Sequence, residues 1–125
     1  MGLMNRLGNA KNSHQGDFKR VLCVCSAGVL RSPTAALVLS SDPFNYNTRA
    51  AGLDEDFALI PVDKVLLTWA DEVVCMEPAQ AMALNEMTEK PVFCLDIEDD
   101  FKYRDPALMK LIAERYNSRK PFGDL

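Results

Sequence analysis

The stretch Val21 to Ala36, VLCVCSAGVLRSPTAA, constrains this chain more than any other. It opens with Val21-Leu22-Cys23-Val24, apolar throughout and of the length of a short buried strand. It closes on Ser32-Pro33, a helix start in which serine caps and proline suits the first turn. Between them run Cys25, then Ser26, Ala27, Gly28, Val29 and Leu30, then Arg31. A loop that joins a strand end to a helix N-terminus turns successive backbone N–H groups inward, with the helix dipole behind them, and makes an anion cradle. The amides of residues 26–31 are therefore candidate phosphate-binding groups. Cys25 at the first position faces the bound oxyanion, and a thiolate is favoured where N–H groups and a cation converge. Arg31 at the last position grips two oxygens of the anion through its planar fork. The pattern describes a nucleophile aimed at phosphorus.

The rest of the chain alternates strands and helices around that unit. The segment 1–17 is rich in Asn, Gly, Lys and Ser without apolar periodicity and reads as a disordered lead-in, followed by one α/β domain over 18–125. Lys19–Val24 is the first strand, and the first helix runs from Pro33 to about Ser40. Phe44, Tyr46, Thr48 and Ala50 alternate with polar residues, as in a half-exposed edge strand. Gly52–Leu59 is a loop. Pro61 opens a second helix with Val62, Val65, Leu66 and Trp69 on one core face. Glu72–Met76, Pro78–Met87 and Val92–Leu95 read as strand, helix and strand. A loop over Asp96–Asp105 then precedes a last helix that starts at Pro106 under an Asp105 cap, with Leu108, Leu111, Ile112 and Tyr116 facing inward.

Such alternation argues for a parallel sheet with right-handed crossovers and helices on both faces. The loops leaving the carboxyl ends of its strands share one edge, where ligands bind. That edge collects the Cys25–Arg31 loop, the Gly52–Leu59 loop, the Glu77 turn and the Asp96–Asp105 loop. It brings Phe57 and Phe101 to the cradle as candidate walls for a substrate.

Composition removes several alternatives. At 125 residues the chain is a single domain large enough for a core. A net charge of −4 argues against nucleic-acid binding, which needs a basic face. No apolar run is long enough to span a bilayer, and no stretch has the order of a signal peptide. Three of the four cysteines sit in apolar strand patterns, so reduced thiols and a cytoplasmic setting are expected. The one histidine, His14, lies in the polar lead-in, which leaves little for a zinc site or a Cys–His pair. No metal and no cofactor are expected.

The run C-S-A-G-V-L-R-S-P resembles the phosphate loop of the low-molecular-weight protein tyrosine phosphatases, C-x5-R-S-P near the N-terminus. The resemblance extends more loosely through Ala50-Ala51-Gly52, Trp69-Ala70-Asp71, Val74-Cys75-Met76 and Leu95 to Pro106, covering about residues 20–118. It is closest to a short subgroup known mainly as predicted phosphatases. Gly28 stands where the family usually has a left-handed Asn, a conformation glycine adopts freely. Leu30 stands where many members carry a second loop cysteine. The resemblance implies a three-layer α/β sandwich whose four-stranded parallel sheet has the order 2-1-3-4. It further implies a phosphocysteine intermediate on Cys25, with Ser32 donating to the thiolate. The substrate it implies is a phosphotyrosine-containing protein or a small aryl phosphate, with no nucleic acid or membrane as partner.

The reaction also needs a proton for the leaving oxygen. The resemblance sets the family's Asp-Pro-Tyr motif on Asp99-Asp100-Phe101, which makes Asp99 the general acid. Asp100, Asp105 and Asp96 stand as alternatives, because Asp100 replaces the motif's proline and Asp105-Pro106 is a rival in the same region. Asp105 is better explained as a helix cap. Two other readings are carried forward. An arsenate reductase of the same fold needs a relay of mobile cysteines, and Cys75 and Cys94 lie in strand patterns. A non-catalytic phosphate- or phosphoprotein-binding protein needs neither the cysteine nor the acid. Phosphocysteine carriers of sugar transport lack the arginine that Arg31 supplies.

Overall fold

A computed structural model describes residues 9–10, 18–26, 31–54, 58, 60–97 and 105–122. Strand β1 (Asn9–Ala10) is followed by β2 (Arg20–Cys25), α1 (Arg31–Ser40) and β3 (Asn47–Gly52). Then come α2 (Lys64–Trp69), β4 (Glu72–Cys75), α3 (Pro78–Met87), β5 (Val92–Cys94) and α4 (Pro106–Asn117). The sheet order is β1-β3-β2-β4-β5. Its β3-β2-β4-β5 part is parallel throughout, which is the expected order 2-1-3-4 when the parallel strands are counted alone.

Central strands buried on both faces read as continuous apolar runs, and β2 is the example. Val21, Cys23 and Cys25 point to one face, where they pack with α1 and α4 through Ala35, Leu39, Leu108 and Ile112. Leu22 and Val24 point to the other, against Leu66 and Leu67 of α2 and Ala81 and Leu84 of α3. These two cores fill the two interfaces between the sheet and its helix layers, which makes a three-layer sandwich. No helix among the described residues is long and apolar enough to cross a membrane.

Three local expectations differ. Within the lead-in expected to be disordered, Asn9–Ala10 pair antiparallel with Arg49 and Thr48 of β3, so β3 is covered there on its outer side. Phe44 and Tyr46 precede β3 and form an aromatic group with Tyr116, their rings 5.3 and 5.9 Å from it. Their alternation reflects that cluster, which the α1–α4 core holds. Helix α2 starts only at Lys64, under an Asp63 cap that accepts from the Leu66 N–H at 2.8 Å. The shorter helix buries Leu66 and Leu67, leaves Val65 72% exposed, and half-exposes Trp69, whose ring lies under the Arg49 guanidinium at 4.4 Å.

At the amino ends of the strands, Glu72 is buried with a full set of partners. Its carboxylate accepts from the Tyr116 hydroxyl at 2.5 Å and pairs with Lys19 Nζ at 2.7 Å and Arg119 Nε at 3.4 Å. Burial, and after it the Glu72 carboxylate, push the Tyr116 phenol far above its ordinary range, so it remains a donor. Glu72→Gln is expected to destabilise the fold by ~2–3 kcal/mol, below the usual cost of breaking a buried pair because both cations reach solvent. The urea midpoint should fall at constant slope. The rate at which iodoacetate alkylates Cys25, measured below the transition, should be unchanged, because this cluster lies at the sheet end opposite Cys25.

Candidate active site

Cys25 is the last residue of β2 and Arg31 the first of α1, so strand end and helix start face each other across residues 26–30. The cysteine is 4% exposed. Ser32 Oγ lies 3.1 Å from its sulfur and also 3.4 Å from the Ala51 carbonyl oxygen. A hydroxyl has one proton. When the sulfur is a thiolate, Ser32 donates to it and the longer Ala51 contact is given up. Ser32 is fully buried inside α1, and its hydroxyl meets Cys25 and Ala51, not an amide of the first turn. The capping role open to it from sequence is thus not the one it performs.

Arg31 is 4% exposed, and Nη1 of its guanidinium is held from the sheet edge. Nη1 donates to the Ile97 carbonyl oxygen at 2.8 Å and pairs with Glu77 Oε2 at 2.7 Å. Both acceptors come from the carboxyl edge of the sheet, Glu77 just after β4 and Ile97 just after β5. A buried guanidinium fixed by a carboxylate and a carbonyl keeps its plane before any anion arrives, which is the preorganisation that charge stabilisation requires.

The neighbouring loops are tied to the same unit. The Asp54 N–H donates to the Ser26 carbonyl oxygen at 2.8 Å, and the Leu53 N–H to that of Cys25 at 3.0 Å. The Ile97 N–H donates to the Met76 carbonyl oxygen at 2.8 Å, and Arg115 Nη1 donates to the Leu95 and Asp96 carbonyl oxygens, each at 2.8 Å. Asp96 turns the chain with a φ of 55°, a left-handed conformation that aspartate tolerates better than most residues. Asp105 caps α4 by accepting from the Ala107 N–H at 2.9 Å.

Cys25, Ser26, Arg31 and Ser32 of the predicted site are thus brought together. Ala27, Gly28, Val29, Leu30, Phe57, Asp99, Asp100 and Phe101 lie outside the described residues. Glu77 and Gln80 are functional candidates that the sequence reading did not single out. Gln80 is 5% exposed, accepts from the Met76 and Glu77 N–H groups at 2.9 and 3.0 Å, and donates to Ser26 Oγ at 3.1 Å. Their signal was present: Glu77-Pro78-Ala79-Gln80 has the spacing of a capping box at a helix start.

The other thiols are placed for packing. Cys23 is fully buried, and burial first, then Glu72 and Cys25, raise its thiol far above the ordinary range. Cys75 and Cys94 are register partners on β4 and β5, on the sheet face opposite Cys25. Burial is the main cause holding both protonated. Among the described residues no group of three His, Cys, Asp or Glu side chains is arranged to hold a metal ion. Comparison of the chain with protein-family models, with curated proteins and with solved structures finds no match.

Proposed function

We propose that this chain is a phosphomonoester hydrolase resembling the low-molecular-weight protein tyrosine phosphatases, working through a phosphocysteine on Cys25. The observation that carries the reading is the pairing of Cys25 Sγ with Ser32 Oγ at 3.1 Å beside a buried Arg31 already fixed by Ile97 and Glu77. A buried cysteine that meets a hydroxyl and a buried arginine stand at the two ends of one strand-to-helix loop, an arrangement suited to an oxyanion. Such an anion accepts from the guanidinium and the loop amides while the sulfur attacks from below.

In the first step the Cys25 thiolate attacks phosphorus, the P–O bond to the leaving group breaks, and the leaving oxygen takes a proton from Asp99. Arg31 and the 26–31 amides hold the three equatorial oxygens, where charge is spread in the transition state. In the second step Asp99, now a carboxylate, removes a proton from water as it attacks the phosphocysteine. The S–P bond breaks, phosphate leaves, and the thiolate and the acid are restored. The segment that carries Asp99 departs from Ile97, whose carbonyl is bonded to Arg31, and this supports its assignment. Asp105 is occupied as a cap, which supports Asp99 over it.

The substrate class is a phosphotyrosine-containing protein or a small aryl phosphate, with Phe57 and Phe101 as walls, in a cytoplasmic setting where the four free thiols stay reduced. The arsenate reductase alternative is disfavoured because Cys75 and Cys94 sit in the sheet on the far face from Cys25. The test is steady-state phosphate release from phenyl phosphate by the wild type and by Cys25→Ser. Turnover that vanishes in the variant is expected; equal turnover in both, or none in either, contradicts the proposal.

A further inference from the structure

Gln80 is a buried amide whose three hydrogen bonds reach two segments far apart in sequence. Its two ends are distinguishable, because the Met76 and Glu77 N–H groups, at 2.9 and 3.0 Å, demand an acceptor and so fix Oε1 there. The other end is then the NH2 group, and Ser26 Oγ, 3.1 Å away, must accept from it. The Ser26 hydroxyl is left with its own proton to donate elsewhere. Ser26 directly follows the nucleophile and is the exposed first residue of the anion loop. Three residues before Gln80, Glu77 holds Arg31, the loop's last residue, at 2.7 Å. The first turn of α3 therefore grips the loop at both ends.

We propose that Gln80 is a positioning residue for the anion cradle: by fixing Ser26 while Glu77 fixes Arg31, it sets the span between Cys25 and the guanidinium. This rests on the reading of the loop as a phosphate site. The span matters because an oxyanion must meet Arg31 and the loop amides while staying in line with the sulfur, and a misplacement of about 1 Å at such a site costs up to ~10² in rate. A cap alone explains the Oε1 bonds. It does not explain the bond to Ser26, which lies across the sheet edge from α3 and contributes nothing to the helix.

The two roles are separated by Gln80→Glu, which keeps both cap bonds and the side-chain volume but reverses the Ser26 contact: a carboxylate only accepts, so the Ser26 hydroxyl must turn its own proton to it and away from the loop. The readout is the rate of Cys25 alkylation by iodoacetate and the inorganic phosphate concentration that half-protects it. It is measured in the wild type, Gln80→Glu, Ser26→Ala and the double variant. The added charge acts in both backgrounds and cancels in the cycle, so only coupling through Ser26 survives. The expected result is a penalty of Gln80→Glu on phosphate protection about tenfold larger with Ser26 present than in the Ser26→Ala background, with melting midpoints close to one another. Equal penalties in the two backgrounds overturn the proposal. If phosphate protects none of the proteins, the phosphate-site reading fails instead, and the same coupling, sought in the alkylation rates, still decides whether Gln80 acts on the loop.

Discussion

Replacing Arg31 by lysine is expected to lower kcat/KM for phenyl phosphate by about 10²–10³, although the charge is kept. The guanidinium binds in a plane. Its Nη1 is engaged by Ile97 and Glu77 at 2.8 and 2.7 Å, and that engagement fixes the plane of the fork. An ammonium is a compact point charge on a flexible stem. At this position it satisfies Glu77 or an anion, but it cannot lie in one plane with both. The loss should fall mainly on kcat, because the equatorial oxygens carry their fullest charge in the transition state. Inorganic phosphate should inhibit Arg31→Lys more weakly than the wild type. An activity within about threefold of wild type would mean that Arg31 holds the sheet edge together and does not bind substrate. The Glu77→Gln variant gives the companion result: an intermediate loss, since the amide still accepts from Nη1 but without charge.

Asp99→Asn is expected to cost about 10²–10⁴ in rate where the leaving oxygen needs a proton badly. Nitrophenolate leaves well unassisted and a tyrosine-like phenolate does not. Hydrolysis of phenyl phosphate or phosphotyrosine should therefore fall far more than that of nitrophenyl phosphate, and the basic limb of the pH profile should flatten. Asp105→Asn should leave both rates nearly unchanged, because asparagine caps a helix about as well as aspartate and the Asp105 carboxylate is engaged with the Ala107 N–H. If Asp105→Asn shows the leaving-group dependence and Asp99→Asn does not, the acid is Asp105 and the assignment across the 96–105 loop is wrong.

How legible these features were in the sequence depends on how local their cause is. The run from Val21 to Arg31 was readable because a doubly buried strand must be apolar and a helix start must look like one, whatever surrounds them. The Asp105-Pro106 helix start was readable for the same reason, and the parallel sheet followed from alternation, while its order came with the resemblance. The Asn9–Ala10 pairing was not, since two residues of a polar segment gain their place from elements distant in sequence, the open edge of β3 and the nearby α1. Val65 and Trp69 misled because helical spacing was counted from Pro61, whereas the Asp63 cap starts the turn at Lys64. The grip of Glu77 and Gln80 on Arg31 and Ser26 joins residues 46 and 54 apart in sequence, and no pattern within a helix announces what its first turn will touch. Glu77-Pro78-Ala79-Gln80 revealed the helix start and hid its use.

The central claim is a covalent bond between sulfur and phosphorus, and trapping it tests that claim most directly. Wild-type protein is mixed with an excess of nitrophenyl phosphate, quenched in acid within the first turnovers, digested and read by mass spectrometry. The account predicts one phosphoryl group on the peptide that contains Cys25, absent in Cys25→Ser and lost when the sample is chased before the quench. A wild type that releases phosphate with Cys25 unmodified at every quench time, or a phosphoryl group on any other residue, would contradict it.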